Sequence, residues 1–348
     1  MRFFYFFIFL LILLGAAGYL YFSRQYVSFL SSAQSASLQA NILALKDYAI
    51  KKRILEEVPA EEKPLTMVFV GDIMLDRGVE AIIGNYENYR YPFLKTFEIL
   101  KSADLAFGNL EGPISKNGEK QGSIYSFRFE PQAIDGLKFA GFDVLSLANN
   151  HILDYGRKAL EDTVLILKEN SIIPIGAGEN YLEANSPIIK EISGVKIAFL
   201  SYALMNPKSY EASKDYSGIS SFELERVENE VKMIKTLSIA DIVVVSFHWG
   251  EEYQTRSNKK QQEIGRALAE AGADLIIGHH PHVVQELERY KNSWIAYSLG
   301  NFIFDQNFSD ETMNGLMLKA EIQDKKIKIV EPIDLKIGGD FQPQIIQR

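Results

Sequence analysis

The sequence predicts an α/β domain with a mainly parallel sheet and an antiparallel portion near its C-terminal end. Three observations lead there. From Leu65 onward, apolar runs of strand length alternate with segments of helical periodicity, the pattern of βαβ units. Polar residues gather just past the ends of those runs. The last apolar runs, from Ser293 on, are joined by short turns with no helical segment between them.

The elements follow in order. Phe3 to Phe22 is a run of 20 residues without a charge, long enough to span a bilayer as a helix. No small-residue cleavage site appears in "YLYFSRQY", so residues 1–22 are expected to be an uncleaved transmembrane anchor. Arg2 and the α-amino group flank one side and Arg24 the other. That balance favours a cytoplasmic N-terminus, with a single pass and the bulk of the chain outside the cytoplasm. Residues 23–64 are rich in helix formers and end in "PAEEKP", so a helical stalk closed by prolines is expected. The Leu38, Ile42, Leu45 spacing also fits an amphipathic membrane-surface or self-association helix.

Residues 65–340 are expected to form the globular domain. "TMVFVGD", "ADLAFGNLEG" and "FDVLSLANNH" are strands ending in polar residues. "PQAIDGLKFAG" is a short helix with Pro at its start and Gly past its end. "GRKALEDTVLILKEN" is helical, and "IIPIG" is a short strand. "VKIAFLSY", "DIVVVSFHWGEE" and "ADLIIGHHPH" continue the series, with helices expected at 222–236 and 258–271. "SWIAYSLGNFIF", "GLMLKAEIQ" and "KKIKIVEPIDL" supply the antiparallel portion.

Composition narrows the chemistry. The net charge is −8, from 45 acidic and 37 basic residues, the wrong sign for a general nucleic-acid binder. There is no cysteine, so any metal is held by His, Asp, Glu or Asn. Asp72, Asn109, Glu111, Asn149, Asn150, His151, His248, Glu251, His280 and His282 all fall just past expected strand ends. In open α/β sheets that is where ligands bind. The chain has only five histidines, and each falls at such a position. Imidazole, carboxylate and amide oxygen together suit divalent zinc, manganese or iron, whereas calcium and magnesium prefer oxygen alone. The donors exceed the needs of one ion, which points to two ions bridged by a carboxylate, about 3.5–4 Å apart.

"FVGDIMLDRG", "FGNLEGPIS", "SLANNHILDYG", "SFHWGEEY", "IGHHPHVVQ" and "YSLGNFIFD" occur in that order between about residues 66 and 306. The set resembles the capsule-synthesis CapA family, which is linked to poly-γ-glutamate capsule production. The resemblance implies a four-layer αββα metallophosphatase-like sandwich and a membrane anchor. By position it implies that Asp72 and His282 bind a first metal. Glu111 would bridge, and Asn150, His248 and His280 would bind a second. His151 resembles the histidine that protonates a leaving group. His280 and His282 would share a face if His-Pro-His is extended, with His279 turned away.

The sequence also departs from the metallophosphatase pattern. Met74 stands where a histidine is usual, Glu111 where an aspartate is usual, and Ile152 where an aspartate orients the catalytic histidine. Asp154 is the nearest carboxylate to His151 and joins it as a candidate catalytic residue. Candidate substrate-binding residues are Asn109, Arg128, Trp249 and Glu251. Arg128 either clamps an anion or forms a surface salt bridge. Trp249, with Tyr253, either walls the pocket or packs in the core. Glu251 and Glu252 are also placed to hold metal-bound imidazoles. Asn301 caps a strand end or lines the pocket, and Asp76 and Arg77 fit a helix-start ion pair.

Two functions fit these residues. One is a dinuclear metal-dependent hydrolase acting on a phosphoester or polyanion in capsule or envelope-polymer biosynthesis. The other is a non-catalytic subunit that binds or exports an anionic polymer such as poly-γ-glutamate, alongside other capsule-synthesis subunits. An intact His151 favours the first and Met74 the second.

Overall fold

The computed structural model describes residues 46–47 and 63–346. The expected anchor, Phe3 to Phe22, lies outside the described residues, as does the stalk apart from Lys46, Asp47, Lys63 and Pro64. Among the described residues no helix is long and apolar enough to cross a membrane.

From Leu65 the chain builds two mixed sheets, not one mainly parallel sheet. In the first, β1 (Leu65–Ile73), β2 (Leu105–Leu110), β3 (Val144–Ser146) and β4 (Ile173–Ile175) run parallel in that order. In the second, β7 (Val195–Ala203), β9 (Ile242–His248), β10 (Leu275–His279) and β12 (Ser293–Ala296) are parallel. Its edges are antiparallel: β6 (Ile188–Ile192) on β7 and β11 (Leu287–Tyr290) on β12. A two-residue ribbon pairs β5 (Ala177–Gly178) with β8 (Gly218–Ile219).

The expected antiparallel end holds only in part. β14 (Asn314–Gln323), β15 (Lys326–Ile337) and β16 (Pro343–Ile345) do extend the first sheet antiparallel from β1. "SWIAYSLGNFIF", however, divides between the sheets. Its first part is β12; its last part is β13 (Asn301–Ile303), which pairs parallel with β1 at Asp72. Between them Leu299 N–H donates to Gly278 O and Gly300 O accepts from Asp72 N–H, both at 3.1 Å. The chain thus stitches the two sheets together at the strand ends. Turn chemistry explains two of the antiparallel pairs, β6–β7 and β14–β15: Ser193 and Gly194 both have positive φ (48° and 76°), as do Asp324 and Lys325 (52° and 60°). Two consecutive positive φ values make the hairpin turn that matches strand twist.

Alternation along the strands sorts the core into three layers of contact. Val68 and Val70 of β1 join Leu110 and Leu145 under Val79, Leu137, Leu160 and Val164 of the helices on that side. Met67 and Phe69 turn the other way, against Phe107, Phe199, Val244 and Ile277 between the sheets. Val243, Val245 and Phe247 face Val227, Val231, Ile264 and Leu268 of the two helices beyond. The order is helix, sheet, sheet, helix. Phe107 shows what the central layer contributes: it is fully buried, 5.5 Å from the Phe69 ring and 6.1 Å from the Phe199 ring. Truncating such a ring to alanine costs about 3–5 kcal/mol.

The two expected helices on the second sheet are Leu224–Thr236 and Lys259–Ala271. The second starts on a capping box, with Asn258 and Gln261 each accepting from the other's backbone N–H, and stops at left-handed Gly272. These packed helices fix the direction of β9 and β10. Both strands then deliver their C-terminal ends to the same place as β1 and β2.

Candidate metal centre

Two glycines let the strand ends close on one another. A Cβ on Gly71 would lie 1.9 Å from Gly300 O, and one on Gly278 would lie 1.9 Å from Tyr297 O. Each glycine directly precedes a site residue, Asp72 or His279. Only a residue without a side chain permits these approaches.

Asp72 is fully buried at the end of β1. Its Oδ1 accepts from Asn109 Nδ2 at 2.8 Å and its Oδ2 from the His280 backbone N–H at 3.2 Å. His279 Nδ1 and His282 Nδ1 each lie 3.4 Å from one of its oxygens. Burial acts to raise this carboxyl, but the His279 and His282 imidazoles outweigh burial and hold it well below the usual carboxylate range. Asn109 is the hub of the first sheet. Its Oδ1 accepts from Asn149 Nδ2 at 3.2 Å, and Asn149 Oδ1 accepts from the His151 N–H at 3.1 Å. With both ends of its amide engaged and no exposure, Asn109 orients Asp72 and is not open to a substrate.

Glu111 follows β2 and is fully buried. Its Oε1 has no hydrogen-bond partner. It lies 3.7 Å from His282 Nε2 and 3.8 Å from His151 Nε2. Burial, then the charges of Asp72, Glu252 and Asp154, push Glu111 well above the ordinary carboxyl range. His248, at the end of β9, lies between two amides: Asn109 Nδ2 is 3.4 Å from its Nδ1, and Asn150 Oδ1 is 2.9 Å from its Nε2. Burial, then the neighbouring His280, holds His248 well below the usual imidazole range. The same causes, burial and then His282, bring His280 down to about 3.

His-Pro-His is not extended. β10 ends at His279, and His280 and His282 have φ values of 95° and 59°. Positive φ is costly for a side chain with a Cβ and marks a conformation imposed by its surroundings. The turn brings the two rings to a centroid distance of 5.8 Å. His282 Nδ1 faces Asn301 Oδ1 at 3.0 Å, and Asn301 Nδ2 donates to Thr312 O and Gln306 Oε1. Asn301 therefore sets the orientation of the His282 ring. His279 is wholly buried and stacks on Phe107 at 6.4 Å.

His151 Nδ1 and Asp154 Oδ2 are 2.7 Å apart, and the same oxygen accepts from the Phe127 N–H at 2.8 Å. The His151 ring lies 4.1 Å from the Phe127 ring. Phe127 sits in a loop whose sequence carries no signal for this role. The remaining candidates fall outside the cluster. Trp249 is fully buried in the outer core, stacked on Phe247 at 4.4 Å, with Nε1 donating to Tyr297 O. Packing, not a pocket wall, accounts for it. Arg128 places its guanidinium 4.2 Å over the Tyr155 ring. Glu251 is exposed. The expected Asp76–Arg77 ion pair is replaced: Asp76 caps the helix Arg77–Tyr86 through the Arg77 N–H, and the Arg77 guanidinium pairs with Asp305.

The donors fit a divalent metal centre. Asp72, Glu111 and His248 each offer a ligand atom within 4.8 Å of the others, and so do Glu252, His280 and His282. Glu111 Oε1 and His280 Nδ1 are buried polar atoms without partners, which is unfavourable unless a cation or polar group meets them. Burial holds the His248 and His280 imidazoles toward the neutral form, the form that ligates metal. Met74 adds nothing here: it is fully buried, and its Sδ accepts from the Asp76 N–H at 3.1 Å.

Comparison with known proteins adds a lineage. A family model described as "Bacterial capsule synthesis protein PGA_cap" matches residues 66–306. "Capsule biosynthesis protein CapA" of Bacillus anthracis is 35% identical over 283 residues, covering 80% of this chain and 68% of that protein. "PGA biosynthesis protein CapA" of Bacillus subtilis (strain 168) is 35% identical over 248 residues, covering 70% of this chain and 64% of that one. The chain thus spans about two thirds of the length of these relatives. Among solved structures, "calcineurin-like phosphoesterase YfkN from Bacillus subtilis" aligns at 15% identity and a TM-score of 0.44, covering 82% of this chain and 92% of that one.

Proposed function

Since the chain belongs to the bacterial capsule synthesis family PGA_cap, we propose that it acts in capsule or envelope-polymer biosynthesis as a dinuclear metal-dependent hydrolase. Its substrate is a phosphoester or an anionic polymer such as poly-γ-glutamate. The protein is anchored in the cytoplasmic membrane by Phe3 to Phe22, with its globular part outside the cytoplasm and beside other capsule-synthesis subunits. The first relative's printed name, capsule biosynthesis protein, supports the pathway; the charge-free apolar run supports the anchor.

The observation that carries the hydrolytic reading is the His151–Asp154 pair at 2.7 Å, with His151 Nε2 3.8 Å from the partnerless Glu111 Oε1. Divalent ions held by Asp72, Glu111, Asn150, His248, His280 and His282 would supply Lewis acidity toward a phosphoryl or carbonyl oxygen. The chain's own residues do the rest. Asp154 accepts from His151 Nδ1–H, which leaves Nε2 as the ring atom that gives or takes a proton. Phe127 backs the ring and Asn149 holds the backbone N–H of His151, so Nε2 stays aimed at the centre. In hydrolysis the oxygen of water bonds the phosphorus or carbonyl carbon. The leaving oxygen or nitrogen departs with the bonding pair and takes a proton from Nε2, and the proton lost by the attacking water restores Nε2 through solvent.

The test uses the purified full-length chain and cells that carry only the variant. His151→Gln should lower metal-dependent hydrolysis of phosphodiester or γ-glutamyl substrates by roughly 10²–10⁴-fold with metal content unchanged. Polymer yield should change with it. Normal polymer yield in His151→Gln cells, together with no hydrolysis by the wild type, would overturn the enzyme and leave a polymer-binding subunit. Protease added to spheroplasts should digest the globular part, and protection until lysis would reverse the proposed orientation.

A further inference from the structure

We infer that Glu252 is a direct metal ligand, joining His280 and His282 to hold one of the ions in a two-histidine, one-carboxylate site suited to Zn²⁺. The inference rests on the metal-centre reading above and regroups its ligands: His280 and His282 serve one ion together, where the family resemblance divides them between two.

Three observations on different parts of the chain converge. The ligand atoms of Glu252, His280 and His282 lie within 4.8 Å of one another. The loop that carries Glu252 is pinned to the histidine turn itself: Tyr253 N–H donates to Pro281 O at 2.8 Å, and Pro281 is the residue between the two histidines. Left-handed backbone at Gly250 (φ 91°) and Tyr253 (φ 62°) turns the chain on either side of Glu252. At Gly250 a Cβ would come within 2.9 Å of the Gln261 side chain, so the loop is pressed against the helix Lys259–Ala271. Finally, two buried atoms beside this group lack partners. His280 Nδ1 belongs to a residue only 6% exposed, and Glu111 Oε1, 3.7 Å from His282 Nε2, to a residue with no exposure.

The donor set defines the chemistry. Two imidazoles and one carboxylate are the protein ligands of zinc sites that keep a position open for water or substrate. The two histidines are buried and the glutamate is exposed. Glu252 therefore closes the solvent side of a site whose inner side the histidines form. Its neighbour Glu251 is also exposed but belongs to neither ligand group, so the adjacent carboxylate serves as an internal control.

The test reads metal, not turnover. Full-length wild type, Glu252→Gln, Glu252→Asp and Glu251→Gln are stripped with chelator, then titrated with Zn²⁺ against a chromophoric competitor. Co²⁺ loading provides a spectroscopic record of the ligand set. Glu252→Gln should lose one ion per chain, or bind it on the order of 10–100-fold more weakly or worse, with a changed Co²⁺ spectrum. Glu252→Asp should fall between, and Glu251→Gln should match the wild type. Stripped proteins should melt together, and the rise in melting temperature on adding Zn²⁺ should be smaller for Glu252→Gln. Zn²⁺ content, affinity and Co²⁺ spectrum unchanged in Glu252→Gln would overturn the ligand assignment while leaving the metal centre standing. A wild type that takes up neither metal would overturn both.

Discussion

The first sheet and the second sheet bring different chemistry to the same point and hold it by different means. From the first come Asp72, Asn109 and Glu111, all oxygen or amide groups, and nearly every polar atom has a partner. The chain Asn149–Asn109–Asp72 is a hydrogen-bonded rod that fixes the carboxylate. From the second come His248, His279, His280 and His282. Amides and backbone conformation both hold these: Asn109 and Asn150 flank His248, Asn301 faces His282, His280 and His282 sit at positive φ, and both ring nitrogens of His279 and Nδ1 of His280 have no hydrogen-bond partner. Glu111 Oε1 is the one atom of the first group left without a partner, and it faces His282 of the second. The first sheet's donors leave one buried atom without a hydrogen-bond partner and the second sheet's leave three, so the first half mainly positions and the second offers more to a cation. Buried polar atoms without partners cost about 1–3 kcal/mol each, and a bound cation would remove that cost.

Removing the second half should have the larger effect. A His280→Ala and His282→Ala double variant of the full-length chain should lose bound transition metal, from about two ions per chain to none or one. Elemental analysis measures it, and unchanged content would break the division of labour. Damage to the first half should be graded. Asn109→Leu removes the amide donor to Asp72 Oδ1 and one of the two acceptors of Asn149 Nδ2. Metal affinity should fall about 10–100-fold, as when an orienting group is lost. Stability should fall by about 1–3 kcal/mol, read by denaturant titration of the stripped protein. If Asn109→Leu abolished binding as completely as the double histidine change, the rod would be a ligand and not a support.

Much of this arrangement was legible in the sequence because it depends on residue type and on position after apolar runs. Asp72, Glu111, His151, His248, His280 and His282 gather at one point, each at or just past a strand end. Sheet topology was less legible. Parallel pairing was over-read because strand–helix alternation is conspicuous, while the hairpin turns Ser193–Gly194 and Asp324–Lys325 are only two residues each. The apolar run 293–304 looked continuous, yet it crosses from one sheet to the other near Gly300. Composition cannot reveal a crossing set by which neighbour supplies hydrogen bonds. Arg77 went to Asp305, 228 residues away, and Phe127 came from a loop; long-range partners of this kind leave no local periodicity. His-Pro-His was legible as a pair, but its conformation was not, because the positive φ values arise from tertiary contacts.

The smallest effect sharpens the comparison most, because it reads one proton. In the metal-free centre Glu111 is raised well above the ordinary carboxyl range by burial, then by Asp72, Glu252 and Asp154. A raised acid holds its proton to higher pH than a free carboxyl does. Metal must displace that proton, so metal affinity should rise with pH until Glu111 ionises by itself and then level off. His248 and His280 of the second sheet should contribute little to this release. His280 is brought down to about 3 and His248 lies well below the usual imidazole range, so both favour the neutral form. Titrating Zn²⁺ calorimetrically over a series of pH values, in buffers of different ionisation enthalpy, should therefore show proton release that fades as the pH rises. Glu111→Gln should abolish the release and weaken binding; His280→Ala should weaken binding but leave the release in place. Release that disappears with His280→Ala and survives Glu111→Gln would mean the proton sits on the imidazole side, and that the two halves are not divided as drawn.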